Sequence, residues 1–176
     1  MRNILIIGGS SSIGDSVEQA FMNHGDNVLS TYFSSPGKKE NTNIKYIKLD
    51  LCSPISYLPL LDEVAKNALD AMIILSGILP GQSIDDYLES EINEVINVNI
   101  TSNIHIIKAL LPHLKMNSNV ILMSSISAIR GSFDPVYAAS KAAQIGLVRS
   151  LALWNKGIYK INAIAPSLID KSSMYF

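Results

Sequence analysis

The chain has 176 residues, 48% of them hydrophobic and 16% charged, with a net charge of −1. This length fits one domain, and this apolar fraction supports a packed core and excludes a disordered chain. A near-neutral balance offers no field to nucleic acid or anionic lipid, no apolar run approaches the ~20 residues of a membrane span, and the single Cys52 excludes an internal disulfide or a multi-cysteine metal site, so a cytoplasmic protein is expected.

Asn3–Ile7 is short, β-branched and stopped by Gly8-Gly9, and so predicts a buried strand. Residues 13–24 follow with Val17, Ala20 and Phe21 at helical spacing, and Gly25 fits a helix stop. Residues 27–31 predict a second strand, 34–43 a polar loop around Pro36-Gly37, and 44–49 a third strand. Residues 60–67 are weakly helical, and 71–75 predict a fourth strand ending at Ser76-Gly77. Residues 85–95 read as helical, and 99–114 as a helix with Ile100, Ile104, Ile107, Leu111 and Leu114 in one stripe. A fifth strand is expected at 120–123, a long helix at 136–154 and a sixth strand at 158–164, stopped by Pro166. This alternation predicts a single α/β domain, a doubly wound parallel sheet with helices on both faces.

The segment Gly8-Gly9-Ser10-Ser11-Ser12-Ile13-Gly14 lies between the first strand and the first helix. Glycine lets the backbone turn sharply or approach a ligand, and a helix N-terminus offers N–H donors to a phosphate. Strand, turn and helix in this order is the context a dinucleotide turn requires. After the second strand, Thr31-Tyr32-Phe33-Ser34-Ser35 carries no acid, which removes repulsion of a 2′-phosphate and mildly favours NADP over NAD. Lys38 and Lys39 lie shortly beyond. Asp50-Leu51 closes the third strand, where an acid can accept from an adenine amine or simply face solvent.

Tyr137 and Lys141 share one helix face. A phenol titrates near ~10, and a neighbouring ammonium lowers that value, which makes the pair a candidate acid/base. Such pairs arise by chance, so the neighbourhood matters. Ser124-Ser125 ends the fifth strand, at the edge where open α/β sheets place ligands. Asn99 opens the helix after the fourth strand.

Gly8-x3-Ser12-Ile13-Gly14, Asp50, Asn99, Ser125, Tyr137-x3-Lys141 and Asn162-Ala163-Ile164-Ala165-Pro166 occur in one order. Together they resemble the classical short-chain dehydrogenase/reductase family over nearly the whole chain. The resemblance implies a Rossmann fold and an NADP- or NAD-dependent oxidoreductase acting on a small carbonyl or alcohol, most broadly similar to 3-oxoacyl carrier-protein reductases. It implies Tyr137 as acid/base, Lys141 as the group that lowers its pKa and holds the nicotinamide ribose, Ser125 as the substrate-positioning hydroxyl, and Asn99 as the holder of a water linking Lys141 to solvent. The implied cofactor contacts are Gly8, Ser10, Ser11, Ser12, Ile13, Gly14, Tyr32, Asp50, Leu51, Ser76, Gly77, Pro166 and Ile169, with Tyr137 and Lys141.

Departures from the pattern accompany it. Ile7 stands where the family has threonine, Ser12 where it has the middle glycine, and Ile74-Leu75-Ser76 where it has Asn-Asn-Ala. The carboxamide-binding threonine is replaced by Lys171, with Ser172 or Ser173 as substitutes. The sequence stops at Phe176, where the family's lid begins, so the expected domain is a C-terminally truncated core. An inactive cofactor-binding or assembly subunit is the alternative, and a sugar-nucleotide epimerase of the same fold is a third. Cys52 reads as an ordinary near-surface or buried small residue, Met116, Met123, Met174 and Trp154 read as packing residues, no histidines share metal-ligand spacing, and Asp62-Glu63 and Asp85-Asp86 read as solvated helix starts. Residues 138–147 are nearly apolar all round, which predicts a homo-oligomer through helices 99–114 and 136–154.

Overall fold

A computed structural model describes residues 1–36 and 42–170. Six strands form one parallel sheet: β1 Asn3–Ile7, β2 Asn27–Tyr32, β3 Ile44–Lys48, β4 Leu69–Ile74, β5 Leu114–Met123 and β6 Lys160–Ile164, in the order β3-β2-β1-β4-β5-β6. The helices are α1 Ser12–Asn23, α2 Leu58–Val64, α3 Glu89–Ile96, α4 Ser102–Leu110, α5 Ser127–Arg130 and α6 Pro135–Trp154. The doubly wound fold expected from alternation is present.

Alternate residues of β1 face opposite layers, as the two-residue strand period requires. Leu5 and Ile7 join Met72, Ile74, Val120 and Leu122 in a core covered by α2, α4 and α6, whereas Ile4 and Ile6 join Val28, Ala71 and Ile73 beneath α1. Each fully buried Leu or Ile of these layers contributes roughly 1.5–3 kcal/mol.

The register aligns the carboxyl ends. Ile7 pairs with Ile74, Ile74 with Leu122, and Met123 with Ile164. Gly8, Ser76-Gly77, Ser124-Ser125 and Pro166 therefore emerge at one edge of the sheet. The chain leaves β1 toward β3 and returns on β1's other side as β4, so the strand order reverses between β1 and β4. A crevice at such a reversal is where open α/β sheets bind ligands.

Several expectations need correction. The stripe predicted over 99–114 does not run as one helix: a π turn spans Asn97–Thr101, α4 ends at Leu110, a 3-10 turn covers Leu111–His113, and Leu114 begins β5. Ile107 and Leu114 of that stripe are buried, but Ile104 is 43% exposed, and Ile106 and Leu110 face the core, because the π turn's extra residue rotates the following face. β5 begins six residues earlier than the apolar run at Val120: Leu114 pairs with Leu69, and the β4 ladder resumes at Asn119 opposite Ala71, past an irregularity in which Asn117 takes φ +65°. On α1, Val17 and Phe21 pack against the core as expected, but Ala20 is exposed and Glu18 is buried. Met116 and Trp154 are 75% and 85% exposed and do not pack. Met174, Lys171, Ser172, Ser173, Lys38 and Lys39 lie outside the described residues. Asp62 and Glu63 end α2 rather than start it, and Glu63 pairs with Lys45 and Lys66. The α6 reading, by contrast, is not overturned: one side is buried, through Val136, Tyr137, Ser140, Lys141, Gln144 and Val148, and Ala139, Ala142, Ala143 and Gly146 are exposed. Among the described residues no helix is long and apolar enough to cross a membrane.

Candidate active site

The glycine turn is built from backbone and short side chains. Gly8 takes φ +83°, a conformation that suits glycine, and its N–H donates to Thr31 Oγ1 at 3.0 Å. The Gly9 N–H donates to the Thr31 carbonyl at 3.0 Å, pinning the turn to β2. Ser11 Oγ donates to the Gly8 carbonyl at 2.9 Å and accepts the Gly14 N–H at 3.1 Å, capping α1. A side chain at Gly14 would strike the Gly9 backbone, and one at Gly9 would strike Ser30 Oγ and Glu18 Oε1. Ser12 sits at ordinary negative φ, because Asn117 is the one non-glycine residue with positive φ among those described, so serine there carries no strain. A cleft of about 840 Å³ opens over the turn and is lined by Ser10, Ser11, Ser12, Ile13, Ser35 and Ile169, among others.

Beneath this turn lies a group that sequence patterning missed. The Glu18 carboxylate, 1% exposed, accepts from Ser30 Oγ at 2.5 Å and from the Tyr46 hydroxyl at 2.8 Å. These bonds tie α1, β2 and β3 together.

The other expected cofactor contacts stand around the same sheet edge but outside the lining of this cleft. Tyr32 ends β2, and Pro166 follows β6, where its carbonyl accepts the Ile126 N–H at 2.9 Å. The Asp50 carboxylate accepts the Cys52 N–H at 2.9 Å, and the Leu51 carbonyl accepts from the Tyr57 hydroxyl at 2.8 Å, so both belong to a local turn. Ser76 meets Gly8 at the strand reversal: a Cβ on Gly8 would come 3.0 Å from the Ser76 nitrogen. Ser76 Oγ is buried with no hydrogen-bond partner among the described residues.

On α6, Tyr137 and Lys141 are 5% and 2% exposed. The Lys141 Nζ lies 5.6 Å from the centre of the Tyr137 ring and donates to the Met123 carbonyl at 2.8 Å. Burial pushes the Lys141 amine down to about 8, because its charged form loses water. Asn99 is fully buried in the π turn: its Oδ1 accepts the Ile78 N–H at 2.8 Å, and its Nδ2 donates to the Ile78 carbonyl at 2.9 Å and to Ser140 Oγ at 3.0 Å. Gly77 brings the two elements together, since a Cβ there would come 3.0 Å from Lys141 Nζ and 3.2 Å from Asn99 Oδ1.

The two serines after β5 differ. Ser124 Oγ donates to the Lys141 carbonyl at 2.8 Å and is committed to holding α6 on the sheet. Ser125 Oγ accepts the Ser127 N–H at 3.1 Å.

Sequence reading also missed the polar side chains that hold this region. Asn103 Nδ2 and Gln144 Nε2 both donate to the Asn99 carbonyl, at 2.7 and 2.9 Å. Asp134 caps α6 with Pro135 behind it. The Asp-Pro pair before an apolar helix was the available signal for that cap. No group of three or more His, Cys, Asp or Glu suited to a metal occurs among the described residues.

Comparison with known proteins gives concordant results. A family model described as short chain dehydrogenase matches residues 2–175. Dehydrogenase/reductase SDR family member 6 of Aquarana catesbeiana is 32% identical over 180 residues, covering 97% of this chain and 72% of that protein. NADPH-dependent aldehyde reductase 1, chloroplastic, of Arabidopsis thaliana is 31% identical over 186 residues, covering 94% of this chain and 64% of that protein. The crystal structure of a short chain dehydrogenase family protein from Francisella tularensis superposes with a TM-score of 0.90 at 29% identity, covering 99% of this chain and 72% of that one.

Proposed function

The chain belongs to the short-chain dehydrogenase family of oxidoreductases, and from that premise we propose that it interconverts a small carbonyl compound and its alcohol with a nicotinamide dinucleotide. The observation that carries this reading is the buried Lys141 amine, 5.6 Å from the ring of Tyr137 and beside Gly77 and Asn99.

The residues fit a dinucleotide. Gly8, Gly9 and Gly14 leave a side-chain-free cradle at the N-terminus of α1, and the Ser76 hydroxyl next to it has no hydrogen-bond partner among the described residues. Ser10, Ser12 and Ile13 would hold the diphosphate, Tyr32, Asp50 and Leu51 the adenosine, and Ser76, Gly77, Pro166 and Ile169 the nicotinamide half. When bound, the nicotinamide supplies or accepts the hydride. A β2 end without an acid supports NADPH as the preferred form, and the Arabidopsis relative bears NADPH dependence in its name.

The chain's own residues handle the proton. In reduction the Tyr137 hydroxyl gives its proton to the carbonyl oxygen, and in oxidation its phenolate takes the proton back. The Lys141 ammonium stabilises that phenolate and reaches the ribose hydroxyls. Ser125 Oγ donates to the substrate oxygen, which polarises the carbonyl and fixes its distance from Tyr137. Asn99 holds the loop at Ile78 against the lysine and orders a water on the proton path. The exposed face of α6, with Ala139, Ala142, Ala143 and Gly146, and the exposed Ile104 on α4 support association of like chains through these helices.

The test is titration with NADPH and NADH, followed by turnover of wild type and Tyr137→Phe. Tighter NADPH binding is expected, with turnover lost in Tyr137→Phe by about a thousandfold while dinucleotide affinity stays. Undiminished turnover in Tyr137→Phe would remove the acid/base assignment. No binding of either dinucleotide at millimolar concentration would favour an inactive assembly subunit.

A further inference from the structure

Asp134 is a heavily engaged carboxylate beside Tyr137. It is 1% exposed, and its oxygens receive donors from three directions. Oδ1 accepts the Tyr137 N–H at 2.8 Å, which caps α6. Oδ2 accepts the Gly81 N–H at 3.0 Å. The Tyr87 hydroxyl sits 2.9 and 2.8 Å from Oδ1 and Oδ2. Gly81 and Tyr87 both lie in the segment 77–88, which leaves β4 at the site and leads to α3. That segment is already fixed near its start, where Asn99 holds both backbone groups of Ile78.

We infer that Asp134 is a positioning residue that clasps the segment 77–88 to the first turn of α6, so that Tyr137 and the wall of the substrate site beside it keep one spacing. The inference rests on Tyr137 being the acid/base. A carboxylate suits this task because it accepts on both oxygens at once. Serine in its place caps the helix but cannot also reach Gly81 and Tyr87. Burial and the Asp134 carboxylate both push the Tyr87 hydroxyl pKa upward, so it remains a donor across the physiological range. The other two donors are backbone amides, which do not titrate. The segment between the two anchors, with Leu79 and Pro80, is thereby held next to the helix that carries the phenol. Only small displacements are needed to matter, since an error of one ångström in reacting geometry costs roughly a hundredfold in rate.

The test uses Asp134→Ser, Asp134→Ala, Tyr87→Phe and Tyr137→Phe in the full chain. NADPH oxidation with diacetyl as the carbonyl probe gives turnover, and amide hydrogen exchange over 77–88 and the start of α6 gives local order. Asp134→Ser is expected to keep NADPH affinity within about twofold and to lower kcat by about tenfold, with Tyr87→Phe intermediate. Exchange should accelerate over 77–88 in both variants, while the α6 amides slow again in Asp134→Ser relative to Asp134→Ala because serine restores the cap. Wild-type kcat and exchange in Asp134→Ser, with Tyr137→Phe inactive, would reduce Asp134 to a helix cap and overturn the clasp. Equal losses of kcat and NADPH affinity, with exchange accelerated throughout the domain, would overturn it as well. Wild-type turnover in Tyr137→Phe would fail the acid/base assignment, and the exchange pattern would still report separately on the clasp.

Discussion

The two halves of the sheet hold their chemistry in opposite ways. Around β1, β2 and α1 the turn depends on side chains being absent, and Gly8, Gly9 and Gly14 let backbone pack against backbone and against Ser30 and Glu18. Around β4, β5 and α6 the site depends on polar side chains being present in the interior, with Asn99, Ser140, Lys141, Gln144 and Asp134 all essentially buried. The first half cannot accept added atoms. The second cannot lose hydrogen-bond partners without leaving others unsatisfied, and its desolvated Lys141 rests on the Met123 carbonyl, whereas the buried Glu18 of the first half receives both Ser30 and Tyr46. Function therefore opposes stability mainly in the second half.

The largest effect is expected from breaking the first half by addition. Valine at Gly14 would drive its methyl groups into the Gly9 backbone, which cannot swing aside as a side chain does. We expect a loss of about 3 kcal/mol, the upper end for overpacking, together with loss of NADPH binding. Urea unfolding with a dinucleotide titration measures both. A normal midpoint and normal affinity in Gly14→Val would show that the turn has slack it is not credited with.

Lys141→Met reads the second half by removing its buried charge. The folded pKa of about 8 lies below the usual lysine value of 10.5. The unfolded chain therefore binds more protons than the folded one between these values, and stability rises with pH across that window. Below it the burial cost is complete. Methionine removes this cost but also the bond to the Met123 carbonyl, so a net gain of roughly 2 kcal/mol near neutral pH is expected, with turnover abolished. The variant's profile should be flat where the wild type climbs. A variant less stable than wild type would show that the hydrogen bond outweighs desolvation.

The same contrast explains what the sequence made legible. Glycines between a strand and a helix, and a tyrosine one helical turn before a lysine, are local patterns, and the structure puts the turn and the Tyr137–Lys141 pair at one sheet edge. Glu18 and Asp134 were not legible as parts of the site, because their partners Ser30, Tyr46, Gly81 and Tyr87 arrive from other elements. The π turn at Asn97–Thr101 was hidden for a related reason: its freed Asn99 carbonyl is satisfied by Asn103 and by the distant Gln144. β5 escaped at its start because Leu114 is an isolated apolar residue there, paired with Leu69 across a break in the β4 ladder that ends at Asn119.

The smallest effect lies at the far end of the first half and sharpens the comparison by its sign. Arg2 donates from its backbone N–H and from Nε to Asp26 Oδ1, at 3.1 and 3.0 Å, and from its other guanidinium nitrogen to Oδ2 at 2.5 Å. These bonds hold the Asp26 carboxyl below its ordinary range, the guanidinium hydrogen bond being the main cause. A carboxylate depressed in this way contributes stability above its unfolded value near ~3.9 and loses it as pH falls through the folded value. Asp26→Asn should thus be modestly less stable at neutral pH, converge with wild type in acid, and lose less stability when salt is raised, since Arg2 is half exposed. Asp26 precedes β2 and Lys141 bonds the end of β5, so the two groups sit at opposite ends of the strands and three strands apart, roughly 20 Å by strand length and spacing. Their effects should add in the double variant, with Asp26→Asn removing Asp26's share of the acid limb, which Glu63, Asp70 and Glu91 also supply, and Lys141→Met removing the alkaline climb. An interaction larger than about 0.5 kcal/mol between them would mean that the two halves are mechanically coupled through the sheet rather than independently built.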